Sequence, residues 1–133
     1  MSKPARTGAM PYKIVWEPAG VYRQYVGDVS IVDRRASLEI IGADRRFDDL
    51  RYAITDYLAV DRYEVTPEST AEIAALHIGP LFTNPQIIIV AVAQRQDILD
   101  YIADFKRYRF TQAPYHVFPT LPEARTWIAG QLG

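Results

Sequence analysis

Apolar and polar positions alternate along residues 12–17, "YKIVWE", and again along 21–26, "VYRQYV", on either side of Pro18-Ala19-Gly20. Two alternating runs about a glycine-containing turn predict a β-hairpin, and hence an antiparallel start to a sheet. Ser30, with Asp33 three residues on, predicts a capped helix start. Ile31, Val32, Ala36, Ile40 and Ile41 follow at roughly helical spacing as its inward side, and Gly42 closes the segment. The polar stretch "DRRFDD" (44–49) reads as a solvated connection with one buried hook, Phe47. Residues 51–56 predict a third strand.

A second helix is announced by Thr66-Pro67-Glu68-Ser69, with proline in the first turn, where its missing N–H costs nothing. Ser69 and Glu72 offer another capping box, so the helix begins at either place. Ile73, Leu76, Ile78, Leu81 and Phe82 form its apolar side, and Asn84-Pro85 ends it. Residues 86–93, "QIIIVAVA", do not alternate at all, which is what a central strand covered on both faces requires. Residues 97–109 predict a helix with Ile98, Tyr101, Ile102, Phe105 and Tyr108 inward, acidic early and basic late. Residues 115–118 predict a last short strand. Thr120, Pro122 and Glu123 then open a final helix that turns Ala124, Trp127, Ile128 and Leu132 inward.

The order ββαβαβαβα predicts an α/β fold: about five strands in a mixed, mostly parallel sheet flanked by four helices. A chain of 133 residues is the length of one domain. The expected division is a flexible tail over 1–11 and a single domain over 12–133. A net charge of −1 supplies no general field for nucleic acid or for an anionic membrane surface. The absence of cysteine excludes disulfides, thiol nucleophiles and the usual structural zinc sites. The longest strongly apolar stretch, 87–93, is too short to span a bilayer. The opening "MSKPARTGAMPYK" has no apolar core of a secretion signal, so a cytoplasmic location is expected.

Three local patterns carry a resemblance. "YVGDVSIVD" (25–33) looks like a strand–glycine–turn–helix opening, "FDDLRYAITDY" (47–57) like an aromatic-led third strand ending in aspartate, and "HVFPTLPEARTWI" (116–128) like a closing strand and helix. Together they resemble the small bacterial STAS/SEC14-type proteins, the SpoIIAA-like domains related in fold to anti-anti-sigma factors. The resemblance runs over roughly residues 12–128, and its motifs speak to fold more than to activity. In anti-anti-sigma factors a phosphorylatable serine, in an Asp-Ser-x-Gly step, opens the helix after the third strand. Here Asp56 is followed by Tyr57-Leu58-Ala59 and Ser69 has no neighbouring glycine, so the resemblance does not carry that phospho-switch over.

Candidate chemistry is sparse. G-x-S-x-G, P-loop and G-x-G-x-x-G patterns are absent and the seven glycines are dispersed, so no phosphate cradle and no cofactor are expected. His77 and His116 lack partners at metal-ligand spacing, so no metal is expected either. Ser69 and Thr70 stand at a helix start, where a phosphate would be favoured electrostatically, but Ser69 reads first as an ordinary cap. The run "KRYRF" (106–110) mixes cations with aromatics but falls at a helix end, where it serves dipole and core. The nine tyrosines are the compositional oddity: each hydroxyl needs a partner, so some should line a cleft or an interface.

These readings converge on a non-catalytic binding or regulatory module for a small apolar ligand or a protein partner. Its mouth is expected at the carboxyl ends of the third and fourth strands. Tyr57, Asp61, Tyr63 and Ser69 come from one side and Gln94 and Arg95 from the other, with Asp56 orienting the loop. Two alternatives stand beside it: an enzyme using Asp56 or Asp61 as general base, and a homodimerisation domain working through exposed tyrosines and helix faces.

Overall fold

Strand β1 (Tyr12–Trp16) turns at Pro18-Ala19 into β2 (Gly20–Val29), and the two pair antiparallel in the computed structural model, which describes residues 10–108 and 115–133. From β2 onward each strand joins the sheet beside its predecessor and parallel to it: β3 (Tyr52–Tyr63), β4 (Ile88–Val92) and β5 (Tyr115–Phe118) complete the order β1-β2-β3-β4-β5. Right-handed crossovers that advance in one direction all fall on one face of a sheet. That face carries α1 (Ile31–Ala43), α2 (Pro67–Leu76), α3 (Ile78–Thr83) and α4 (Gln96–Lys106), while α5 (Leu121–Leu132) alone covers the other. The expected mixed α/β sheet between helix layers is the architecture observed.

β4 is fourth in the sheet and not its centre, but it has a neighbour on each side. Val90, Ala91 and Val92 are wholly buried, Ala91 among the residues under α1–α4 and the two valines under α5. Burial on both faces explains why its sequence does not alternate. The caps are local chemistry and fall where the sequence puts them. Ser30 and Asp33 form a reciprocal box, Thr66 and Ser69 form another, and Thr120 accepts from the Glu123 backbone N–H at 3.3 Å. Thr66, not Ser69, is the cap of α2.

Elsewhere the structure departs from the pattern. β3 does not end at Asp56 but runs on through Tyr63, so the stretch read as a connection is strand. Between Gln24 and Val29 it takes two residues more than β2, and the register shifts twice. Each shift is a β-bulge, and each flips the parity of the side chains after it, which hides a strand from an alternation test. Asp56 holds the first bulge by accepting the Leu58 N–H at 2.9 Å. At the second, Gly27 adopts φ +69°, a left-handed conformation that favours glycine.

The single helix expected over 66–84 is broken at His77 into α2 and α3, because Pro80 leaves a backbone carbonyl one turn earlier without its N–H partner. The Pro80 ring instead packs on α1 at Gly42, where a Cβ would lie 2.9 Å from it. Phe82, expected inside, is 84% exposed, and Ile78 and Tyr108 also face outward. "DRRFDD" contains a turn of 3-10 helix (Arg45–Asp49) around the buried Phe47. α4 ends at Lys106; Arg109 and Phe110 lie outside the described residues, as does the expected tail before Met10.

The α5 layer is fastened by charge. Glu17, just past β1, accepts from Arg125 of α5 through both carboxylate oxygens at 3.0 and 2.7 Å, and from the Tyr52 hydroxyl. The Arg125 bond, above all, draws the Glu17 carboxyl below its ordinary range. Because Arg125 is part-exposed, solvent screens the pair. Glu17→Gln should therefore cost about 1 kcal/mol, read as a drop in melting temperature of about 4 °C. A variant melting with the wild type shows the bridge to be energetically idle.

Candidate functional site

Between the sheet and the α1–α4 layer lie two adjoining cavities. The larger, of about 60 Å³, is walled by apolar side chains that include Ile41, Phe47, Leu81 and Ile87. The smaller, of about 30 Å³, is walled largely by tyrosines and two arginines. Arg23, Leu38, Thr55, His77 and Ile89 border both, so the two lie side by side as compartments, together called the chamber, more polar at one end and apolar at the other.

The polar end comes from residues whose strand parity or helical phase turns them inward. On β2, Val21, Arg23 and Tyr25 point to the α1–α4 face; Thr55 and Tyr57 do so on β3. On α1 the buried positions are Asp33, Arg34, Ser37 and Ile41. This helix departs from its own hydrophobic pattern in part: Ile31, Leu38 and Ile41 pack inward, but Val32 is 62% exposed and Ile40 also faces solvent, while Arg34 is 1% exposed. The inward positions expected for Val32 and Ile40 are thus corrected.

Arg23 donates to Ser37 Oγ at 3.1 Å and to Thr55 Oγ1 at 2.7 Å, and stands over the Tyr25 ring. Arg34 donates to the Glu64 carbonyl at 2.9 Å and lies between the rings of Tyr63 and Tyr101, 4.4 and 4.6 Å from their centroids. Nε of Arg23, and Nε and Nη2 of Arg34, are buried with no hydrogen-bond partner. Burial opposes both charges and the tyrosines around them offset it, so both guanidiniums stay protonated.

Tyr25, Tyr57, Tyr63 and Tyr101 form a ring cluster with successive centroids 5.3 to 5.8 Å apart. Burial pushes the phenols of Tyr57, Tyr63, Tyr101 and Tyr115 above their ordinary range, leaving them neutral donors. Burial also pulls His77 down to about 4, and its Nδ1 lies 2.7 Å from the Ile73 carbonyl, so the neutral ring donates there.

Of the six residues expected at a mouth, Tyr57 and Tyr63 border this chamber. The other four are engaged elsewhere. Ser69 Oγ receives the Thr66 N–H and donates to the Thr66 carbonyl, locked in the cap of α2. Asp61 is exposed on β3, beside Gly27. Arg95 Nη1 donates to the carbonyls of Val60 and Asp61 at 2.9 and 2.7 Å, while Asp97 holds the rest of its guanidinium. Gln94 donates to the Pro119 carbonyl. Asp56 points to the α5 face, where it accepts from Tyr22 at 2.6 Å. A crevice opens at strand ends where successive helices part to opposite faces. Here the helices after β2, β3 and β4 all take the same face. Arg23 and Arg34 were not singled out from the sequence. The available signal was a cation at the inward position of "VYRQY", between Val21 and Tyr25.

This arrangement of strands and helices has counterparts among solved structures. The anti-sigma factor antagonist SpoIIAA, in its unphosphorylated form, matches 90% of this chain and 98% of its own length at 11% identity, with a TM-score of 0.61. A DUF3478-family protein with a SpoIIAA-like fold, from Shewanella loihica PV-4, matches 92% of this chain and 98% of its own length at 12% identity, with a TM-score of 0.57. The chain has the SpoIIAA-like fold. No protein-family model matches the sequence, and neither does any curated protein. At such identities the SpoIIAA likeness concerns the fold alone, and the residues of the chamber rest on their own geometry. Among the described residues of this SpoIIAA-like domain, no helix is long and apolar enough to cross a membrane.

Proposed function

We propose that this chain is a non-catalytic binding module of regulatory type, cytoplasmic in location, whose ligand is a small molecule with an apolar body held in the chamber beneath α1 and α2. One observation carries the reading: α1 buries the guanidinium of Arg34 at the polar end of the chamber and leaves Val32 and Ile40 in water. Burying a guanidinium costs stability where a neutral side chain does not, so Arg34 has a task. Tyr57 and Tyr63 are retained as ligand-lining residues, whereas Asp61, Ser69, Gln94 and Arg95 act in support of the framework.

The likeness to an anti-sigma factor antagonist supports a regulatory role exercised on a protein partner. The outward apolar side chains of α1 and α3, Val32, Ile40, Ile78 and Phe82, support a partner or a second copy as that docking agent. An enzyme working through Asp56 or Asp61 has less support, since neither carboxylate borders the chamber and Asp56 is committed to Tyr22 and Leu58.

Native mass spectrometry of the protein purified from its own cells tests both levels at once. The expected spectrum shows a retained small-molecule adduct, lost on denaturation, and a second subunit registers in the same measurement. A spectrum of bare monomer only, with no change after incubation with cell extract, overturns the ligand reading.

A further inference from the structure

We infer that the ligand is a small carboxylate with a short apolar body, its anionic end received by Arg23 and Arg34. The inference rests on the chamber reading above and adds charge and chemical class to it.

The two guanidiniums bring two positive charges into the domain, Arg23 at 9% and Arg34 at 1% exposure. Among the described residues neither is bonded to a carboxylate: their partners are two hydroxyls, one carbonyl and the faces of tyrosine rings. The buried carboxylates nearby are otherwise engaged. Asp33 accepts from Ser30 in the cap of α1, and Asp56 bonds Tyr22 on the opposite side of the sheet. A buried cation without a counter-ion is costly, and across the two guanidiniums three nitrogens, one on Arg23 and two on Arg34, have no acceptor. A carboxylate supplies what is missing: a negative charge and lone pairs for several donors, in bonds stronger than neutral ones. The neutral phenols of Tyr57 and Tyr101 line the same compartment as further donors, Tyr115 being bonded to Tyr57, with no anionic side chain among its walls to repel an incoming anion.

Size sets the rest of the molecule. A water needs roughly 10–15 Å³ of such volume, so the 30 Å³ polar compartment admits a carboxylate and little more. On the same scale the 60 Å³ apolar compartment holds about four or five carbons. Apart from Arg23, Thr55 and His77, which it shares with the polar compartment, its walls are apolar, Leu38, Ile41, Phe47, Leu81 and Ile87 among them. Arg23 stands at the junction, bordering both compartments.

The test compares 4-methylpentanoate with its amide, which matches it in shape and lacks the charge, by thermal shift and by calorimetric titration of the unmodified protein. The carboxylate should raise the melting temperature in a saturable way, and the amide should bind at least tenfold more weakly. Arg23→Met should abolish the carboxylate-induced shift, read against the variant's own unliganded melting temperature, since the substitution removes a buried charge together with its bonds to Ser37 and Thr55. Equal binding of acid and amide overturns the anionic class and leaves the chamber reading standing. No binding of either, while the native protein carries a neutral adduct, has the same effect. No binding of either, with no adduct, overturns both. Because the acid–amide pair is measured on the wild type, the comparison decides the question even where the variant fails to fold.

Discussion

Gly20→Ala is expected to lower stability by about 3 kcal/mol, a large penalty for one methyl group. Gly20 lies opposite Tyr52 in the β2–β3 ladder, and the tyrosine ring crosses directly over it. A Cβ built at this position falls 2.2 to 2.4 Å from three ring atoms, well inside contact distance. The ring has no easy retreat: it is buried in the cluster beneath α5, and its hydroxyl is held by Glu17. Accommodating the methyl group means expelling Tyr52 or spreading the strands. If the clash is the cause, Tyr52→Leu should relieve it, so that adding Gly20→Ala to Tyr52→Leu costs far less than adding it to wild type. Urea denaturation of the four proteins measures this coupling. A Gly20→Ala protein within a few tenths of a kcal/mol of wild type shows that the ring does not lie where it is described.

The second large effect is a loss of stability on acidification, and it belongs to His77. Its folded pKa, about 4, lies below the ordinary 6.5 because burial penalises the charged ring. In the interval between these values the unfolded chain binds a proton that the folded protein refuses. Stability is therefore complete above about pH 6.5 and declines as pH falls, by on the order of 3 kcal/mol at pH 4. Glu17, whose carboxyl is lowered, adds its own loss only further down, below about 4.5. His77→Gln should flatten the limb between pH 6.5 and 4.5 in a series of denaturation curves and leave the lower limb in place. An unchanged upper limb in that variant means His77 titrates as an ordinary histidine.

How much of this molecule its sequence disclosed depends on which forces act locally. The caps at Ser30, Thr66 and Thr120 were legible because a cap is made by residues three apart. β4 was legible because a strand buried on both faces has nothing to alternate. The second half of β3 was not, since its two bulges each reset the phase of the pattern that would have revealed it. The orientation of α1 was legible only in part, Ile31 and Ile41 packing inward as expected and Val32 and Ile40 not, for a different reason. Apolar periodicity assumes that the buried side of a helix meets a dry core, whereas this side meets Arg23, Thr55 and a set of tyrosines across the chamber. The abundance of tyrosine did point to a cleft, but its place followed from the sheet's one-sided crossovers, which no short motif encodes. Arg23 and Arg34, the residues with most to explain, each looked like one more surface charge.

Because spatial order along the sheet repeats order along the chain, each strand finds its partner in the segment made just before it. A nascent chain can thus lay down the sheet by successive short-range closures, beginning at the hairpin. The exception is the second side. Ile54, Val90 and Val92 stay open to water until α5, which follows all five strands, is synthesised and folds over them, so deleting that helix should leave a nearly complete sheet that aggregates through one bare flank.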